Sequence, residues 1–250
     1  MTKLLENKIA IVTGAGSGIG RAVALSYASA GAKVVVSDIA ESGGNETVSQ
    51  IILTGGDATF VRADTSSAAE NEALVAETVK RYGGLHIACN NAGVGGMQAD
   101  TGECTPEEWS RVIGVNLSGV FYGMRYQLPA MLAAGTGTIV NMASILSQVG
   151  FRGHSPYVAA KHGLIGLTRT AALEYAARHI RINAVGPAFI HTPLLKELPQ
   201  EMLDGLASLH PVGRLGEASE VAELVLWLSS DKASFVTGSY YPVDGGYLAQ

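Results

Sequence analysis

The run Lys8-Ile9-Ala10-Ile11-Val12-Thr13-Gly14-Ala15-Gly16-Ser17-Gly18-Ile19-Gly20 leads straight into Arg21-Ala22-Val23-Ala24-Leu25-Ser26-Tyr27-Ala28. Its first six residues form a short, apolar, β-rich run that reads as a buried strand. The residues after Gly20 carry a helical pattern. Between them lies a glycine turn spaced G-x-x-x-G-x-G. Strand, glycine turn and helix N-terminus together make an anion site: glycines let the backbone approach a pyrophosphate, and the helix end offers free N–H groups and positive potential. Gly14, Ser17, Gly18, Ile19 and Gly20 are therefore candidate dinucleotide-binding residues.

Moving outward, Lys33-Val34-Val35-Val36-Ser37-Asp38 reads as a second strand. Asp38 ends it, at the position from which a carboxylate accepts hydrogen bonds from an adenosine ribose. The alternative is a cap for the helix expected at Glu41–Leu53. Ser37, Ile39 and Ala15 supply no arginine for a 2′-phosphate, so NAD(H) is expected rather than NADP(H). Asp57–Arg62 is a third strand, followed by a helix through about Tyr82. Asp64 either bonds the adenine amino group or sits beside a cap made by Thr65 or Ser66. Leu85–Cys89 is a fourth strand, closed by Asn90-Asn91-Ala92-Gly93. This alternation predicts an α/β fold: a single-domain, doubly wound parallel sheet of about seven strands with helices on both faces.

The second half carries the chemistry. Thr105-Pro106-Glu107-Glu108 starts a helix expected to run to about Leu132. Asn116 sits inside it among apolar neighbours and needs a partner, either a backbone carbonyl or an ordered water; a local kink is expected there. The apolar run Thr138–Ala143 is a strand that delivers Ser144. Pro156 starts a helix on which Tyr157 and Lys161 share a face. A lysine ammonium one turn away favours a phenolate, so Tyr157 could move a proton to or from a substrate oxygen, with Ser144 holding that oxygen. Tyr-x-x-x-Lys alone is a common pattern; its setting gives it weight. Leu194–Leu209 reads as a helical lid or as a plain surface helix pair, with lid boundaries at about 188–212. Glu217–Ser229 is a last helix and Tyr240–Val243 a last strand.

Composition bounds the rest. A chain of 250 residues with 47% hydrophobic and 16% charged residues suits one well-buried domain. The net charge of −5 argues against nucleic acid as a partner. No apolar run reaches the ~18 residues of a membrane helix. The N-terminal residues lack a secretory apolar core, and Cys89 and Cys104 have no redox or metal spacing, so a cytoplasmic protein with no metal site is expected.

Taken together, Thr13-Gly14-x-x-x-Gly18-Ile19-Gly20, Asn90-Asn91-Ala92-Gly93, Asn116, Ser144 and Tyr157-x-x-x-Lys161 resemble the short-chain dehydrogenase/reductase family over essentially the whole chain. The resemblance implies a Rossmann-type fold and hydride transfer between NAD(H) and a ketone or secondary alcohol. It implies Tyr157 as general acid/base, Lys161 lowering its pKa and binding the nicotinamide ribose, Ser144 polarising the carbonyl, and Asn116 holding a water that links Lys161 to solvent. It places Asn91, Ala92 and Gly93 along the cofactor, Asp64 and Thr65 at adenine, and Pro187, Ile190 and Thr192 over the nicotinamide. It also implies a homotetramer. One departure is Ala188, where the family usually has glycine.

The expected substrate wall, Ile145, Leu146, Val149, Phe151, Phe189, Ile190, Leu194, Leu195 and Met202, is apolar, with His154 and Gln148 the nearest polar candidates; together with Ser144 and Tyr157 it suits an uncharged ketone. The alternatives are a 3-oxoacyl-(acyl carrier protein) reductase, a polyol, sugar or steroid dehydrogenase, or a protein that senses NAD without turnover.

Overall fold

The computed structural model describes residues 3–196 and 198–250; the side chains of Leu194 and Lys196 also lie outside the description. Strands and helices alternate: β1 (Ile9–Thr13), α1 (Gly18–Ser29), β2 (Lys33–Asp38), α2 (Glu41–Leu53), β3 (Asp57–Arg62), α3 (Ala68–Tyr82) and β4 (Ile87–Asn90). There follow α4 (Pro106–Ile113), α5 (Gly119–Ala134), β5 (Gly137–Met142), α6 (Ser155–Tyr175) and β6 (Ile180–Pro187). The last part holds β7 (Ile190–His191), α7 (Pro193–Lys196), α8 (Gln200–Ser208), β8 (Gly216–Glu217), α9 (Ala218–Ser229) and β9 (Tyr240–Val243).

Seven strands form one sheet in the order β3-β2-β1-β4-β5-β6-β9, with every neighbouring pair parallel. The central strands are buried throughout, as a parallel sheet covered on both faces requires. Alternate residues feed two cores. Val12, Val34 and Val36 pack with Val23, Tyr27, Val225 and Leu228 on one face. Ile11, Val35, Ala88 and Ile139 pack with Leu74, Met124, Leu128 and Leu164 on the other. Strand order reverses between β1 and β4, and the crevice outside their carboxyl ends is where such a sheet holds a ligand.

Three elements differ from the sequence expectations. The helix expected from Thr105 to Leu132 is interrupted by a π-helical turn at Gly114–Ser118, which places the expected irregularity at Asn116. The cap of α3 is Ser67, whose hydroxyl accepts the Glu70 N–H, rather than Thr65 or Ser66. The segment expected as a lid folds into α7 and α8, and a short parallel pairing of β7 with β8 pins its base. That pairing was not foreseen, because two-residue strands carry no periodic signal.

Candidate active site

The glycine turn is built by close approach. Gly14 has φ +62°, and a Cβ there would stand 2.8 Å from the Cα of Ala92. A Cβ on Gly20 would strike the Gly14 carbonyl oxygen. Asn91 ties the turn to the end of β4: its side-chain amide donates to the carbonyls of Thr13 (2.9 Å) and Gly14 (3.2 Å). The Thr13 hydroxyl in turn accepts the N–H groups of Asn91 and Ala92 at 3.0 and 3.1 Å. The Asn91 side chain is thus a brace under the turn, and Ala92 and Gly93 leave only backbone and small side chains beside it. Ser17 precedes α1 without bonding its first turn through its side chain, and that turn holds no acidic residue. The positive end of α1 is open to a pyrophosphate across Ser17, Gly18 and Ile19, so the residues fit a dinucleotide.

Asp38 reaches back to this turn. Its Oδ2 accepts the Gly16 N–H at 2.8 Å and its Oδ1 the Ala40 N–H at 2.9 Å. A carboxylate oxygen can accept a second bond, so the held carboxylate still suits two ribose hydroxyls. An arginine does lie close by, contrary to the sequence reading. Arg21 donates to the Gly16 carbonyl, but its fork is taken up by Thr47 and Glu46. Asp64 turns its Oδ1 to the N–H and hydroxyl of Ser66 at 2.8 and 2.7 Å, which closes a local turn after β3. Thr65 is buried there, under Gly119.

Ser144, Tyr157 and Lys161 come together where β5 ends and α6 begins. Ser144 caps a single turn of 3₁₀ helix at Ile145–Ser147: its hydroxyl oxygen accepts the Leu146 N–H at 3.1 Å, while the Ser147 hydroxyl accepts the Ser144 N–H at 3.3 Å. With one lone pair so engaged, the Ser144 proton is left to donate to the Tyr157 oxygen or to a substrate oxygen. Lys161 is buried, and its Nζ donates to the Met142 carbonyl at 2.7 Å and stands 5.4 Å from the centroid of the Tyr157 ring.

The expected lowering of the Tyr157 pKa is not what this geometry gives. Burial raises it, and hydrogen bonding by the Ser144 hydroxyl only partly opposes the rise. The lysine spends its bond on Met142, and burial pushes its own pKa down to about 8. Asn116 finds one of the two partners that its sequence setting called for. Its side chain accepts the Val94 N–H at 3.0 Å and donates to the Val94 carbonyl at 2.8 Å. The backbone alternative is met for that side chain, in the loop after Gly93.

Aromatic residues cluster between the segments that follow β5 and β6. Phe151 stacks on His154 (centroids 5.2 Å apart) and meets Phe189 at 6.1 Å. Phe189 is edged by His210 at 5.8 Å and Tyr247 at 6.2 Å. His210 Nε2 accepts the Phe189 N–H at 3.4 Å, which assigns the proton to Nδ1, placed 2.9 Å from the Leu206 carbonyl. The sequence reading missed His210 and Tyr247, because nothing in their spacing shows that two distant segments meet behind Phe189. Leu146 is buried and Leu195 half-buried; the Leu194 side chain lies outside the described residues. Thr192 packs on the turn, close to where a Gly18 Cβ would stand. The Ile190 side chain is buried in the core and packs against Gly216. Pro187 is buried at the end of β6, paired with Val243, and Ala188 lines a cavity of about 190 Å³ with Phe189, Ile190 and His210.

Comparison with known proteins agrees with this architecture. The family model described as enoyl-(acyl carrier protein) reductase matches residues 14–248. Cyclohexanol dehydrogenase of Acinetobacter sp. (strain SE19) is 50% identical over 250 residues, covering 100% of this chain and 98% of the relative. The chain belongs to the short-chain dehydrogenase/reductase family. As a member it is an oxidoreductase that works with a nicotinamide cofactor. A second relative, cis-4-hydroxycyclohexanecarboxylate dehydrogenase of Sinomonas cyclohexanicum, is 42% identical over 249 residues, covering 100% of both chains. Among solved structures, a putative 2-deoxy-D-gluconate 3-dehydrogenase from Agrobacterium tumefaciens with bound NADP superposes with a TM-score of 0.92 at 34% identity, covering 100% of this chain and 99% of that one. The fold, the parallel order and the family reading of the sequence all hold.

Proposed function

We propose that the protein oxidises an uncharged six-membered-ring secondary alcohol to its ketone, reversibly, with NAD⁺. The observation that carries this is the meeting of Ser144, Tyr157 and Lys161 where β5 ends and α6 begins, at the carboxyl edge of the sheet. Two relatives whose names specify cyclohexane rings support the ring shape of the substrate.

The nicotinamide supplies hydride acceptance when bound, and the chain's residues do the rest. The Ser144 O–H donates to the carbinol oxygen and fixes it. Tyr157 takes the hydroxyl proton during oxidation and returns it during reduction. Lys161, when charged, favours the phenolate through space and offers donors to a ribose. Asn116 holds Val94 and so sets the path of the chain after Gly93. The aromatic wall excludes water and matches an alicyclic ring.

NAD⁺ is preferred because Asp38 is fixed by two N–H groups where a 2′-phosphate would sit, and Arg21 is already engaged. A homotetramer is supported by the exposed Trp109, Phe121 and Leu173 on α4, α5 and α6. A cytoplasmic site is consistent with the unpaired Cys89 and Cys104.

The experiment is a spectrophotometric panel of cyclohexanol, acetophenone, a 3-oxoacyl thioester, a sugar lactone and a steroid ketone, each with both nucleotides. Turnover of cyclohexanol with NAD⁺ is expected. Turnover of the thioester with NADPH alone would replace this reading by the carrier-protein one, and NADH binding without turnover of any compound would favour a sensor.

A further inference from the structure

On the face of the sheet that meets α6, the edge strand β9 sends one side chain under β6 to the catalytic turn. Tyr240 lies opposite Ala184 in the β6–β9 pairing. Its ring packs against Ala143, Ile165 and Ala184. Its hydroxyl donates to the backbone carbonyl of Ser144 at 3.0 Å. Gly186, two residues along β6 and on the same face, makes the passage: a Cβ there would collide with the Tyr240 hydroxyl and ring.

We propose that Tyr240 is a positioning residue for the reaction, holding the Ser144 backbone so that the Ser144 hydroxyl keeps its aim, and that Gly186 is glycine to let it through. This rests on the reading of Ser144 as the group that holds the substrate oxygen. The Ser144 side chain is otherwise set by the Leu146 N–H and by its bond to Tyr157, and its main-chain N–H by one bond to Ser147. Its carbonyl lies beyond the last β5 pairing, at Met142 with Val185, so the phenol supplies the third anchor from a different strand. A hydroxyl aimed within a fraction of an ångström loses most of its value when its backbone can drift. Burial, with Asp244 beside it, pushes the Tyr240 pKa up to about 12, so the anchor stays a donor across the working pH range.

The test is a double-mutant cycle with Ser144→Ala and Tyr240→Phe, using cyclohexanol with NAD⁺, or the best substrate of the panel above. Tyr240→Phe is expected to lower kcat about 5- to 20-fold, less than the ~10²-fold of removing the Ser144 hydroxyl itself. The KM for NAD⁺ stays unchanged, and in the Ser144→Ala background the same substitution has no further effect. Gly186→Ala, which leaves the phenol in the chain but displaces its ring, reproduces the loss. The phenolate absorbance of Tyr157, taken as the difference from Tyr157→Phe, shifts to higher pH in Tyr240→Phe, because the Ser144 bond that favours it is loosened. Full turnover in Tyr240→Phe, or equal losses with and without Ser144, would overturn the proposal. Undiminished turnover in Ser144→Ala would instead remove the reading of Ser144 on which it rests.

Discussion

Lys161 stands 5.4 Å from the ring centroid of Tyr157, yet it gives its hydrogen bond to the Met142 carbonyl at 2.7 Å. The two groups are coupled through space and not by direct bonding. Burial acts on both and in opposite directions. It raises the tyrosine, with Ser144 opposing, and lowers the lysine to about 8. In the neutral range the phenol is therefore protonated and the lysine largely charged.

That pair of directions fixes a pH profile. Ketone reduction consumes the phenol proton, and the phenol is present at all pH values below its raised pKa. Reduction should run flat from pH 6 to about 8 and decline above that, as Lys161 loses its charge. Alcohol oxidation needs the phenolate, a minor species at neutrality, so kcat/KM for oxidation should climb with pH from 6 upward. Initial rates in both directions across that range check this. An oxidation optimum below pH 7 would contradict it.

Lys161 also carries a stability cost. The fall from 10.5 to about 8 corresponds to ~3 kcal/mol against the charged form in the fold. Below about pH 8 both folded and unfolded chains bind the proton, and the whole penalty is felt. Between 8 and 10.5 the folded lysine sheds its proton first and the penalty shrinks; above 10.5 it is gone. Lys161→Met removes the ammonium but leaves Met142 without its donor, a loss of ~1 kcal/mol. The variant should be more stable than the parent by about 1–2 kcal/mol at pH 7, with the gap closing toward pH 10, and should lose turnover. Urea unfolding at both pH values measures it.

On the proposed reading, Asp38 decides the nucleotide. Asp38→Ser leaves a single acceptor for the N–H groups of Gly16 and Ala40 and removes the charge that opposes a 2′-phosphate. The KM for NAD⁺ should rise about 10-fold, and the ratio of kcat/KM for NADP⁺ to that for NAD⁺ about 10²-fold, roughly the worth of one close charge pair at a partly exposed site. If the ratio stays put, the carboxylate does not face the ribose.

How much of this the sequence disclosed follows from the range of each interaction. The strands β2, β3 and β9 and the helix α2 fall on the expected residues, because local periodicity and glycine punctuation define them. The trio Ser144, Tyr157 and Lys161 was legible because a strand end and a helix start lie close in sequence. Asn116 was flagged as a polar group among apolar neighbours, but its partner Val94 lies 22 residues away and could not be read. The Tyr240 anchor spans 96 residues and the Phe189–His210 bond 21. Such contacts depend on tertiary placement, which leaves no periodic trace. The direction of the Tyr157 shift was misjudged for a related reason: one-turn spacing shows that a lysine is near, but not where its nitrogen points.

On the proposed reading, Phe189 carries the ring specificity. It is the centre of the aromatic wall, meeting Phe151, His210 and Tyr247, and its N–H is fixed on His210. Phe189→Leu keeps an apolar surface but gives up ring area and the edge contacts, about 1 kcal/mol for a ligand that fills the wall. For cyclohexanol, kcat/KM should fall 5- to 10-fold, chiefly through KM. For 2-propanol, too small to reach across to the wall, the change should stay within about 3-fold, since it gains little there to lose. The KM for NAD⁺ should not move, because the pyrophosphate turn and Asp38 lie at the ends of β1 and β2, away from this wall. Equal losses for both alcohols would mean that Phe189 supports the fold of the lid rather than the substrate ring, and the alicyclic reading would then rest on the relatives alone.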